Sequence, residues 1–199
     1  MKPSVEQRIE DILRGNGGVL VASEVIEQGV PRNAVYQFVK DRGLEKVSPG
    51  IFLDENEFPD ELYLLQARYP KVVYSHNTAL YLHDMAERES VPITLTVDSG
   101  YNVGSLADSG ARIFYVKPEW YGIGVCDMES PGGHAVRVYD RERTLIDIIR
   151  RKAALDPAAY AYALKRYAAS REKNPARLGH YAQKMGVEAQ VQRAMEVLL

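Results

Sequence analysis

The stretch VASEVIEQGVPRNAVYQFVKDRGLEKVSPGIFL, Val21 to Leu53, decides how the rest of the chain is read. Two short helical patterns flank Gly29, Val30 and Pro31, and an apolar pattern broken by Ser48-Pro49-Gly50 follows. Ser23 is placed to cap the first helix, with Val25 and Ile26 turned inward and Gly29 ending it. Pro31 suits the first turn of the second helix, where a missing N–H costs nothing. Val35, Phe38 and Val39 then recur at i, i+3 and i+4 and form an inward face. Arg32, Asn33, Tyr36, Gln37 and Lys40 are left on the opposite face, and Arg42-Gly43 stops the helix. Leu44, Val47, Ile51 and Leu53 fit two short strands, with Lys46 on the first. Proline and glycine in the turn between them supply one fixed and one permissive φ.

Upstream, Ser4 to Asn16 reads as a helix capped by Ser4, with Val5, Ile9, Ile12 and Leu13 on one stripe. Val19 to Val21 reads as a short link. Gly15 to Gly18 is not a phosphate loop, because no Lys-Ser/Thr pair follows it. Helix, short helix, turn, helix and hairpin within about fifty residues outline a winged helix-turn-helix, which lays one helix in the DNA major groove. Long donors and an aromatic are the chemistry that reaches base edges and phosphates. Double-stranded DNA is therefore the expected partner of Arg32, Asn33, Tyr36, Gln37 and Lys40, with Lys46 as a wing contact to phosphate.

With 199 residues, 46% hydrophobic and 26% charged, the chain has the composition of a globular protein of one large or two modest domains. Its apolar runs fall far below the roughly 18 residues of a membrane span. Charged residues interrupt the apolar positions of MKPSVEQRIEDILRGNG, unlike a secretory signal. A single cysteine, Cys126, allows no intramolecular disulfide and fits a reducing compartment, so the cytoplasm is the expected location. The net charge of −2 is unevenly spread. Residues 1–53 balance seven basic against seven acidic side chains; residues 54–139 sum to −7 and residues 140–199 to +5. A basic tail of that kind meets nucleic acid or an acidic partner, or is the solvated face of a helical bundle.

Beyond the opening stretch, Glu57 to Tyr69 reads as a helix entered through Pro59 and ended by Pro70, and Lys71 to Tyr74 as a strand. Ser75 then caps a helix through Thr78 to His83, and strands follow at Ile93–Val97, Arg112–Lys117 and Ala135–Tyr139. Gly132-Gly133-His134 reads as a hairpin turn into the last of these. His76 and His83, seven apart, stand about 10 Å apart along a helix at 1.5 Å per residue, too far to share a metal. Both read as capping and packing histidines. In YDRERTLIDIIR, Tyr139 to Arg150, Asp140 is placed as N-cap with Glu142 in the first turn, and Asp147 lies one turn beyond Arg143, the spacing of an ion pair. No Gly-x-Ser-x-Gly elbow, complete phosphate loop or compact ligand spacing occurs, so no catalytic residue, metal or cofactor is expected. The tail reads as helices: Asp156-Pro157 starts one with Tyr160, Leu164 and Tyr167 on a face, Asn174-Pro175 breaks the chain, and Gly186 precedes a stripe of Val187, Val191, Met195 and Leu198.

GVPRNAVYQFVKDRGLEKVSPGIFL resembles, in layout, the N-terminal winged-helix domain of the AbiEi-type antitoxin family of bacterial transcriptional regulators. SHNTALYLHDM resembles that family's more specific Ser-His-x-Thr-Ala-Leu-x-Leu-His element, and YDRERTLIDIIR its second signature. The matches run from about residue 5 to about residue 150; the tail resembles the family least. The resemblance implies an α+β protein with a winged helix-turn-helix over residues 1–54. A mixed α/β antitoxin domain would occupy 55–199, ending in basic helices from about 153. It further implies a type IV toxin-antitoxin system, in which the protein represses its own operon at inverted repeats. The C-terminal domain would counteract a nucleotidyltransferase-like toxin without a stable complex, and two chains could pair on the DNA. Ser75, His76, Thr78, His83, Asp140, Arg143 and Asp147 carry the two signatures and read as structural. The alternatives are a repressor with a sensory C-terminal domain and no toxin, or an enzyme-associated protein whose winged helix docks another protein.

Overall fold

A computed structural model describes residues 4–89, 91–152 and 156–196. It is a mixed α/β chain with a three-stranded and a five-stranded sheet. It divides into two compact units, Met1–Pro70 with Glu129–Val136, and Lys71–Met128 with Arg137–Leu199. The boundary thus falls at Pro70 rather than at the expected residue 54. Among the described residues no helix is long and apolar enough to cross a membrane. Lys2 and Leu198, counted above in the charge and in the last stripe, lie outside the described residues.

In the first unit, α1 (Val5–Gly15) begins at Ser4, whose hydroxyl accepts from the Gln7 N–H. β1 (Val19–Val21) leads straight into α2 (Ala22–Glu27), and α3 (Arg32–Arg42), β2 (Glu45–Ser48) and β3 (Ile51–Leu53) follow. Val19–Val21, expected as a link, is the strand that pairs antiparallel with β3, opposite β2. All three of its side chains are buried, so it lacks the alternation that marks a half-exposed strand. Leu20 joins Ile9, Leu13, Val25, Val35, Phe38, Val39 and Phe52 in one core, whereas Val19 and Val21 pack with Ile51 against Tyr63, Leu64 and Ala67. Those last three belong to α4 (Glu61–Arg68), which covers the second face of the small sheet and so extends the unit to Pro70. Ser23 does not cap α2. The helix starts two residues earlier than a Ser23 cap would place it, behind Val21, and the Ala22 N–H donates to the Gly50 carbonyl of the hairpin turn. α4 in turn starts at Glu61, after its cap Asp60, four residues later than the expected Glu57 start.

In the second unit, β4 (Val73–Tyr74), α5 (His76–Leu82), β5 (Thr94–Asp98), β6 (Arg112–Val116), α6 (Pro118–Tyr121), β7 (Val125–Glu129, as far as Met128) and β8 (Ala135–Tyr139, from Arg137) lead to the central α7 (Arg141–Arg150). The sheet order is β6-β5-β4-β8-β7, with β4 antiparallel to β5 and parallel to β8, and β5 parallel to β6. β7, sequence Val-Cys-Asp-Met-Glu, and the short α6 carry no pattern that separates them from loop, and both went unread in the sequence. α7 is buried from Glu142 to Ile149. α8 (Pro157–Ala169), α9 (Pro175–Met185) and α10 (Glu188–Glu196) close over it, with Tyr160, Leu164, Tyr167, Leu178, Met185 and Val191 in the shared core.

Candidate functional site

α3 presents the expected division of faces. Val35, Phe38 and Val39 are buried, and Arg32, Asn33, Tyr36, Gln37 and Lys40 are exposed, as is Lys46 on β2. The turn from α2 is made by Gly29 in the left-handed region, φ +84°, with Val30 buried behind it. Tyr36 meets Phe52 of β3 edge-on, centroids 5.9 Å apart, and the Arg32 guanidinium lies 5.5 Å from the Tyr36 centroid. The hairpin thereby braces α3 at Tyr36. The Gln37 carboxamide donates to Asp41 at 2.7 Å, which ties it to its own helix. Among the described residues the side chains of Asn33, Lys40 and Lys46 have neither a hydrogen bond nor an ion pair. Arg42 differs, lying 3.6 Å from both Glu10 and Asp54, where its charge is neutralised.

The first unit also holds a polar cluster that the sequence reading missed. Asp60 caps α4, accepting from the Leu62 and Tyr63 N–H groups at 3.1 and 3.2 Å. Its other oxygen accepts from the Ser130 hydroxyl and lies 2.8 Å from His134 Nδ1. Tyr63 stacks on the His134 ring at 4.5 Å, and His134 Nε2 is buried without a partner. Gly132 allows the approach, since a Cβ there would stand 2.6 Å from Asp60. The legible signal was Asp60 itself, a carboxylate two residues before an apolar helical run.

The seven signature residues all lie in the polar core of the second unit. Ser75 does not cap α5 with its side chain, because its hydroxyl accepts from Thr96 at 2.7 Å and meets His76 Nδ1 at 2.9 Å. Thr78 and Thr94 exchange hydrogen bonds of 2.8 Å, each hydroxyl accepting from the other's backbone N–H, which locks α5 to β5. His76 stacks on Phe114 at 3.6 Å and adopts φ +49°, a left-handed backbone rare for a residue with a side chain. Burial, helped by nearby arginines, holds its pKa down at about 4, so the ring is neutral at pH 7. His83 Nε2 lies 2.8 Å from the Tyr139 carbonyl, and burial lowers its pKa as well.

On α7, Asp140 caps the helix by accepting from the Arg143 N–H at 2.8 Å. The Arg143–Asp147 ion pair forms at 3.1 Å with both side chains buried. Arg143 Nη1 donates to the Trp120 and Ile123 carbonyls, its Cζ lies 4.1 Å from the Tyr139 centroid, and its Nη2 has no partner. Gly124 makes room: a Cβ there would stand 2.6 Å from Arg143 Cβ, at φ +75°. Tyr167 and the Asn174 N–H donate to Glu142, and Tyr181 donates to Asp140. Arg177 lies 3.5 Å from Asp140 and 3.6 Å from Glu142, so this tail cation answers buried acids rather than solvent. Cys126 is half-buried, and burial with neighbouring carboxylates raises its pKa to about 11, so it stays a thiol.

No protein-family model and no curated protein matches the chain. Among solved structures, the crystal structure of the RV2827C protein from Mycobacterium tuberculosis is similar to it with a TM-score of 0.55 and 12% sequence identity, covering 98% of this chain and 81% of that one. At that identity the likeness is one of fold.

Proposed function

We propose that the first unit is a winged helix-turn-helix and that the chain is a DNA-binding antitoxin of a type IV system, repressing its own operon and counteracting a nucleotidyltransferase-like toxin. One observation carries the DNA-binding part. α3 turns Arg32, Asn33, Tyr36 and Lys40 to solvent, opposite its buried face, with Lys46 on the following hairpin and no carboxylate within ion-pairing distance of the three cations among the described residues. Cations left unneutralised on an exposed helix suit phosphates, and Asn33 suits a base edge. The antitoxin part rests on the resemblance of SHNTALYLHDM and YDRERTLIDIIR to the family signatures.

Replacing Arg32 and Lys40 together by alanine tests it. The expected result is loss of operator affinity, with the slope of log affinity against log salt reduced by about 2 for each bound chain, one per phosphate contact removed. Unchanged affinity and slope would remove α3 from the interface. Co-expression with the neighbouring gene separates antitoxin from plain repressor: growth rescue supports the first. The repressor with a sensory domain keeps one observation in its favour, a cavity of about 460 Å³ in the second unit lined by Asn77, Leu80, Glu87, Arg88 and Tyr162, of ligand size.

A further inference from the structure

We infer that Arg112 and Arg151, converging on the ring of Phe114, form a phosphate-binding site in the second unit, additional to the α3 face. Arg112 and Phe114 are two residues apart on β6, the edge strand, and so share one of its faces. Arg112 Cζ lies 5.2 Å from the Phe114 centroid, and Arg151, at the end of α7, brings its Cζ to 5.8 Å from the same centroid. His76 stacks on that ring at 3.6 Å, so the three groups share one aromatic platform.

Both arginines are exposed, and among the described residues neither side chain has a carboxylate or a hydrogen-bond acceptor. Asp147, the acid whose charge reaches this place, is buried and held at 3.1 Å by Arg143 and at 3.7 Å by Arg150. Two like charges are thus drawn to one ring with no counter-charge from the chain, an arrangement completed by an external anion. Guanidinium forks lying on a ring are pre-oriented, with donors that match phosphate geometry. The platform is itself fixed: His76 is held in its left-handed backbone, and such outliers persist where the surroundings over-determine them, commonly at binding sites.

A phosphate group can come from a nucleic-acid backbone or from free phosphate, and two measurements on the full chain separate these. The variant pair is Arg112→Ala with Arg151→Ala, compared with Lys165→Ala and Lys184→Ala, which removes the same charge from exposed helix positions. In the first measurement, the melting midpoint is followed in inorganic phosphate against chloride at equal ionic strength. A phosphate-dependent rise in the wild type and the lysine variant, lost in the arginine variant, assigns the site to free phosphate. In the second, the salt slope of duplex-DNA binding is compared, and a fall of about 2 for each bound chain in the arginine variant alone assigns it to the backbone. Arginine and lysine variants that behave alike in both measurements overturn the site. If alanine lowers the midpoint in plain buffer, Arg112→Gln with Arg151→Gln keeps the stems over the ring and repeats both comparisons. The α3 variant Arg32→Ala with Lys40→Ala, measured alongside, shows whether the DNA-binding reading fails independently.

Discussion

Arg143 is fully buried, and its energetic weight lies in the groups it would leave behind. Its removal leaves the Asp147 carboxylate, buried at 1% side-chain exposure, with only the longer 3.7 Å pairing to Arg150, and strands the Trp120 and Ile123 carbonyls. Arg143→Ala should therefore cost about 3–5 kcal/mol in chemical denaturation, and Arg143→Leu combined with Asp147→Leu should recover most of that loss. The i, i+4 spacing made this pair legible, as an N-cap pattern did Asp140. Its depth was not legible, because the carbonyls that receive Arg143 come from segments around α6 and β7 that have no periodic pattern. His76 makes a second case at this scale. Its folded pKa of about 4 lies below the ordinary value of 6.5, so between those limits the unfolded chain binds more protons than the folded one. Stability is complete above about pH 6.5 and falls toward pH 4, by up to about 1.4 kcal/mol per unit. His83, lowered by burial too, adds to the same trend. Denaturation of His76→Asn, whose side chain tolerates the left-handed backbone, should show a visibly flatter profile between pH 5 and 6.5; an unchanged profile would contradict the neutral buried ring.

At the scale of elements, caps announced helices and burial on two faces concealed strands. Ser4, Asp140, Asp156 and Asn174 each accept from the third residue onward, as their side chains predict. β1 escaped because a three-residue strand packed on both sides shows neither alternation nor length, and that same sandwiching brings α4 into the first unit. Asp60 is where a cap does more than capping. Asp156 caps α8 through one bond to the Ala159 N–H, so Asp156→Ala should cost about 1 kcal/mol. Asp60→Ala also leaves Ser130 and His134 without their buried acceptor, and should cost at least twice as much. Equal losses in the two variants, read from parallel urea titrations, would reduce Asp60 to an ordinary cap.

At the scale of the whole molecule, charge is where composition misleads. The +5 over residues 140–199 suggested a free basic tail, but Arg177 pairs with Asp140 and Glu142, Arg141 with Glu172, and Arg166 donates to the Asp84 carbonyl. The balanced charge of residues 1–53 hides the opposite case: Arg42 and Arg14 are neutralised by acids, while Arg32, Lys40 and Lys46 stand apart. Three cations per copy release few counterions, giving a salt slope of about −3 for one chain on DNA and about −5 for two. Non-specific contact of that size is weak at physiological salt, so operator binding on the proposed reading requires paired chains on an inverted repeat. If Arg112 and Arg151 also reach the backbone, five contacts in each of two chains carry the slope toward about −9. Titration of the DNA upstream of the protein's own gene, with stoichiometry measured at each salt concentration, discriminates these values. Two chains bound at a slope near −5 support α3 and the hairpin as the whole interface, two chains near −9 add the second unit, and one chain near −3 rules out pairing.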